Sequence, residues 1–155
     1  MKLIIPFLCY AHKQEIGEKK IMVKITEEVK ELVGKSKGFA VATATKEGEP
    51  NVVPLAFGKV LSETEVLLMD VFMKKTEQNI KANPRVAISV WDMETYTGYQ
   101  FKGSARIETS GSVFDDGVNM VKSMMPSLNP KAAVVVTVDS IYVTSPGPDL
   151  GKKVE

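Results

Sequence analysis

Two lysines and a threonine, Lys74-Lys75-Thr76, sit where this chain could do chemistry. They follow an apolar, strand-like run from Val66 to Phe72 and open a short helix that Asn83-Pro84 closes. Two ammonium groups, a hydroxyl and the free amides of a first helical turn at one point are what an anionic phosphate needs. The run before them delivers Asp70, Val71, Phe72 and Met73, a mixed apolar and polar strip suited to the face of a planar ring. The preceding strand carries Asn51-Val52-Val53-Pro54-Leu55, where Pro54 lacks an amide donor and so marks an edge or an irregularity. A ligand could lie across that gap. Taken alone, a Lys-Lys-Thr turn is more often a solvated basic corner with the threonine as an N-cap; its neighbours are what favour the ligand reading.

Other chemistries find little support in the residue inventory. A nucleophilic pair would rest on Cys9 or the single histidine, His12, both in an irregular N-terminal stretch that offers no rigid scaffold. With one cysteine and one histidine, neither an internal disulfide, a cysteine cluster nor a histidine metal set is expected. Gly34, Gly38 and Gly48 lack the spacing of a dinucleotide or P-loop fingerprint. The carboxylate pairs Glu27-Glu28 and Asp115-Asp116 read as solvated helix starts. No residue is therefore assigned a catalytic role, and a bound cofactor is expected to carry any reaction.

The chain has 155 residues, enough for one domain with a hydrophobic core. With 20 Lys+Arg against 19 Asp+Glu, a net charge of +1 gives no global field for nucleic acid or an anionic membrane. Any anion site must be local. Residues Leu3 to Ala11 are apolar, but nine residues broken by Pro6 cannot span a bilayer. A signal peptide is the weaker alternative there, because no clear small-residue cleavage site follows. The reducing, cytoplasmic setting suggested by cysteine usage completes this picture, with residues 1–23 as an extension, 24–145 as the domain and 146–155 as a loosely held tail.

From Lys24 onward the pattern alternates strands with turns. Thr26 is a candidate N-cap for a helix through about Val33, with Val29, Leu32 and Val33 as its apolar stripe and Gly34 as its stop. Strands are expected over residues 38–45, 51–61, 65–72, 85–91, 96–110 and 132–144. Two more helices interrupt them: Thr76 to Ala82, and about Val113 to Ser123 behind a Ser112/Asp115 capping box. Trp91 is expected in the core or an interface, and Met120, Met124 and Met125 in helix packing. Strands in bulk with few helices argue for a closed or nearly closed antiparallel barrel rather than βαβ units.

Four motifs now fall in order: Gly48-Glu49-Pro50-Asn51-Val52-Val53-Pro54, Met73-Lys74-Lys75-Thr76-Glu77-Gln78-Asn79, Asn83-Pro84-Arg85-Val86-Ala87 and Lys102-Gly103-Ser104-Ala105. Together they resemble the FMN-binding split barrels of the pyridoxamine 5'-phosphate oxidase-like superfamily, and most of all its small single-domain FMN-binding proteins. The resemblance runs from about Val29 to Val143. It implies a mainly β fold, a six-stranded antiparallel split β-barrel of Greek-key type with peripheral helices, forming a homodimer with FMN at the subunit interface. Lys75 and Thr76 match the family's phosphate ligands, with Lys74 beside them. Val53, Pro54 and Leu55 match the strand along the isoalloxazine, and Asp70, Val71, Phe72 and Met73 the segment bordering the ring's other side. Tyr99, Gln100 and Lys102 match a strand that in the family often supplies residues from the partner subunit, and Gln100 is carried as a candidate.

The resemblance also narrows the activity. The end of the chain, Pro146 to Glu155, looks nothing like the C-terminal segment of the oxidases that act on vitamin B6 phosphates, so that substrate is not expected. Haem in the same groove would need an axial ligand, and the sole histidine is His12. The expected role is a flavoprotein of oxidoreductase or electron-transfer type with an unidentified redox partner. The alternatives are a non-catalytic flavin-storing or flavin-sensing barrel and a deazaflavin-dependent reductase.

Overall fold

The computed structural model describes residues 23–154; Cys9, His12 and the apolar run over 3–11 lie outside the described residues. Helix α1 (Glu27–Lys35) starts where expected, with Thr26 Oγ1 accepting from the Val29 amide at 3.4 Å. It runs through Gly34 and ends at Ser36, whose extended backbone still sends its N–H to the Leu32 carbonyl. Val29, Leu32 and Val33 are buried, each contributing about 1.5–3 kcal/mol of apolar burial.

Strands β1 (Phe39–Ala44), β2 (Pro50–Leu55), β3 (Gly58–Val60), β4 (Glu65–Asp70), β5 (Arg85–Trp91), β6 (Gly98–Glu108) and β7 (Ala132–Val143) form one antiparallel sheet, ordered β2-β1-β5-β6-β7-β4-β3. It curls into a split barrel, with three peripheral helices among the described residues. The described residues form seven strands rather than six, because the expected 51–61 run divides at Ala56-Phe57. Its first half pairs with β1 and its second with β4, at opposite edges of the sheet. The chain crosses the seam there because Pro54 gives no ladder donor and Gly58 fits where a Cβ would lie 2.9 Å from the Leu67 carbonyl oxygen. This crossing is what splits the barrel.

Closure elsewhere depends on a bulge. Lys102 faces Ser140 while Gly103 faces Val138, leaving Asp139 as the extra residue in β7. A Cβ at Gly103 would stand 2.2 Å from the Thr137 carbonyl oxygen, so only glycine admits this close approach. The interior is filled by Val41, Val66, Leu68, Ile88, Val90, Phe101, Val136, Val138 and Ile141. Strand β4 and the first half of β7 are buried on both faces, and so read as continuous apolar runs rather than alternating ones.

Helix α3 (Ser112–Met124) covers their outer side, where Leu67, Met69, Val121, Ala133 and Val135 make a second cluster. The Ser112/Asp115 capping box does not form: Gly111, at φ 94°, is the N-cap, Ser112 is already helical, and the Asp115 amide donates to the Gly111 carbonyl. Helix α2 (Lys75–Ala82) ends where Asn83 turns extended before Pro84. The C-terminal segment is better tethered than expected. Val154 donates to the Ile141 carbonyl at 2.8 Å, Val143 to that of Lys152 at 2.9 Å, and Val154 packs on the core.

Candidate functional site

The seam between β2 and β4 opens into a cavity of about 650 Å³. On one side run Asn51, Val53, Pro54, Leu55, Ala56 and Phe57; on the other, Val71, Phe72, Met73, Lys74, Lys75 and Thr76. Met69, Met125 and Leu128 complete it. The geometry follows from the topology. Among the described residues strand β2 pairs only with β1, so its outer edge offers unpaired backbone groups to the cavity. Strand β4 stops at Asp70, and the chain then turns across the cavity mouth before entering α2.

The cationic end is built by that turn. Lys74 precedes α2 with no side-chain cap, and the first intrahelical amide bond is Gln78 to the Lys74 carbonyl at 3.1 Å. The amides of Lys75, Thr76 and Glu77 are the unbonded donors of a helical first turn, where the helix dipole favours negative charge. Lys74 and Lys75 are exposed beside them. Thr76 is not the N-cap but a buried first-turn residue, 1% exposed, whose Oγ1 accepts from Asn51 Nδ2 at 3.1 Å. A hydroxyl that accepts still has a proton to donate.

A partly buried amide network fixes the helix against the sheet. Thr43 Oγ1 accepts from Asn51 Nδ2 and from Asn79 Nδ2, both at 3.1 Å, and Asn83 Nδ2 donates to the Ala44 carbonyl at 3.3 Å. Neither Asn51 nor Thr43 stands out in the sequence as part of a site. The one available signal is that both are polar residues at inward positions of otherwise apolar strands.

Asp70 and Gln100 lie elsewhere. Asp70 is 1% exposed and does not line the cavity; its Oδ1 accepts from the Met73 amide at 2.8 Å and shapes the turn. Gln100 is on β6, beside Ser89 and Tyr142, outside the cavity of the single chain. Met125, Leu128 and Phe57 enter the lining although no sequence pattern marked them, because α3 returns over the outer face of β4. Phe72 is 77% exposed at the cavity rim, and Met125 49%. Nearby, the Glu77 carboxyl is held below its usual range, chiefly by Lys81 Nζ at 2.6 Å and secondarily by Lys131.

The outer face of β2, β1 and β5 has a different character. Pro50, Val52 and Pro54 stand beside Ala44, Ala42 and Ala40, and the latter two beside Ala87 and Ser89. Val52 is 66% exposed and Trp91, which closes this face, 45%. Trp91 is thus not a core residue. Met124 is also exposed, whereas Met120 packs on the second cluster. Among the described residues no helix is long and apolar enough to cross a membrane, and no group of three or more His, Cys, Asp or Glu side chains could hold a metal ion.

Fold and cavity together define an antiparallel split barrel with a cation-ended, largely apolar slot along its seam. The family model described as "Pyridoxamine 5'-phosphate oxidase" matches residues 25–145, and the chain belongs to that family. An uncharacterized protein of Methanocaldococcus jannaschii is 38% identical over 143 residues, covering 91% of this chain and 93% of its relative. Among solved structures, HupZ of Group A Streptococcus is similar at a TM-score of 0.72 and 28% identity, over 82% of this chain and 99% of that one. An FMN-binding protein of Syntrophomonas wolfei shares the fold at a TM-score of 0.71 and 14% identity, over 78% and 86% of the two chains. An F420 reductase shares it at 0.58 and 20%, over 72% and 94%.

Proposed function

We propose that the chain is an FMN-binding flavoprotein of oxidoreductase or electron-transfer type. The observation that carries this reading is the continuity of one cavity of about 650 Å³ from a helix N-terminus flanked by Lys74 and Lys75 to an apolar slot between β2 and residues 71–73. A phosphate fits the first and a planar ring the second. In this reading Lys75, Lys74, Thr76 and the first-turn amides of α2 hold the phosphate. Val53, Pro54 and Leu55 lie along one side of the ring, with Val71, Phe72 and Met73 on the other, and Met125 and Leu128 exclude water. Bound FMN would supply the electron-transfer chemistry. The protein's part is to anchor the phosphate, to offer edge-strand backbone groups of β2 to the ring's polar rim, and to keep the slot apolar.

The same reading makes the protein a homodimer, supported by the flat, small-residue face of Ala40, Ala42, Ala87 and Ser89 beside exposed Val52 and Trp91. Gln100 pairs with Ser89 at the far side of this face, so a second copy packed there would bring it towards the first copy's cavity. The one cysteine in the sequence suits a reducing, cytoplasmic compartment. The purified protein should show the visible absorption of oxidised flavin, or acquire it on titration with FMN. A colourless protein whose FMN titration is flat overturns the reading. The fold shared with an F420 reductase supports a deazaflavin as the second candidate, since it also pairs a phosphate with a tricyclic ring; tighter binding of F420 than of FMN in the same titration would select it.

A further inference from the structure

We infer that Lys131 is the positioning residue of the proposed phosphate site, acting through Asp70 and the Met73 carbonyl; the inference rests on the flavin reading above. Lys131 is remote in sequence from the Lys74-Lys75-Thr76 turn, at the entrance to β7, yet grips that turn from behind at two levels. Its backbone amide donates to the Asp70 carbonyl at 2.7 Å. Its Nζ donates to the Met73 carbonyl at 2.8 Å and stands 3.4 Å from Asp70 Oδ2 and 3.7 Å from Glu77 Oε2. It therefore spans the end of β4, the turn and the first turn of α2.

Asp70 explains why a cation is needed there. Its carboxylate is 1% exposed, and among the described residues Oδ2 has no hydrogen bond, only the ammonium of Lys131 beside it. Oδ1 is committed to the Met73 amide, which sets the turn that presents Lys74 and Lys75. A buried carboxylate so close to an anion site would repel the very ligand the turn is shaped to hold. Lys131 cancels that charge and leaves the field at the mouth of α2 to the two exposed lysines and the helix dipole. Lys131 does not line the cavity, so it acts on the ligand only through the turn.

The test compares FMN with riboflavin, which has the ring and lacks the phosphate, in fluorescence titrations of Lys131→Met and Lys131→Arg. Lys131→Met keeps the apolar stem and removes the charge. It should weaken FMN binding about tenfold, the scale of one lost charged interaction, and leave riboflavin binding unchanged. Lys131→Arg should recover most of the loss. Equal weakening of both ligands, or an unchanged FMN-to-riboflavin ratio, overturns the positioning role. Should Lys131→Met unfold, the Asp70→Asn/Lys131→Met pair removes the orphaned charge and should fold, and its FMN-to-riboflavin ratio should then fall less than about tenfold below that of Asp70→Asn alone, since only the grip on the Met73 carbonyl remains to be lost. A drop of the full tenfold on adding the lysine substitution overturns action through Asp70. Wild-type protein that binds no FMN defeats the flavin reading alone. Hydrogen exchange of the Met73 amide without ligand still decides the inference, since Lys131→Met must accelerate it and an unaltered rate refutes the grip.

Discussion

At the scale of single residues the cationic turn separates anchoring from packing. Lys75 is exposed and makes no hydrogen bond or ion pair among the described residues, so its removal disturbs the free protein little. Lys75→Ala should weaken FMN binding by about 1.5–3 kcal/mol, the worth of a charged hydrogen bond, with an unchanged melting temperature. Unaltered affinity in a fluorescence titration would count against the phosphate assignment. Thr76 is buried and bound to Asn51, and so serves two purposes. Thr76→Ala should cost about 1 kcal/mol in affinity and, because the Asn51 amide loses an acceptor, lower stability as well. The sequence pointed to these residue types from their order alone, since a lysine pair ahead of a helix start is a local pattern. Asn51 and Thr43 were not legible, because their importance arises only when two strands and a helix converge.

At the scale of elements, helix α2 has few apolar anchors, with Ile80 as its one buried large apolar side chain, so its placement depends on the amide network at Thr43. Thr43→Val keeps the shape but removes the acceptor of the buried Asn79 amide and one of the two acceptors of the half-buried Asn51 amide; urea midpoints should fall by the equivalent of about 1–3 kcal/mol, and FMN binding should weaken in parallel. A stability loss without any change in affinity would show that α2 holds its place by other contacts. The bulge in β7 makes a second demand, on Gly103 of β6 opposite it. Gly103→Ala places a methyl 2.2 Å from the Thr137 carbonyl oxygen, a backbone atom that cannot move aside, and should destabilise by about 1–3 kcal/mol or more. A wild-type thermal midpoint for this variant would mean that β6 re-registers. Element positions were read well from periodicity and turn chemistry. The misses were at ends: Gly34 did not stop α1, Ser112 did not cap α3, and one expected strand proved to be two. Each end was decided by what the flanking backbone meets in space, which residue type alone does not encode.

At the scale of the whole molecule the described residues leave two surfaces of the split barrel open, the seam cavity and the face carrying Val52 and Trp91. Val52→Glu puts a charge at the centre of that face without touching the cavity lining. On the dimer proposed above, it should shift the protein from dimer to monomer in sedimentation and reduce FMN affinity; a variant that stays dimeric would place the interface elsewhere. The sequence by itself determined the class of fold, the order of elements and the cationic turn, because alternation, turn residues and helix starts are local and repeat along the chain. The tertiary structure alone decided where the barrel opens and which distant residues complete the slot. Met125 and Leu128 reach it only because α3 packs over β4, and Lys131 reaches the turn beside it only because β7 begins beside the end of β4. Both consequences follow from strand order, and strand order is a property of non-local pairing that no stretch of sequence carries on its own.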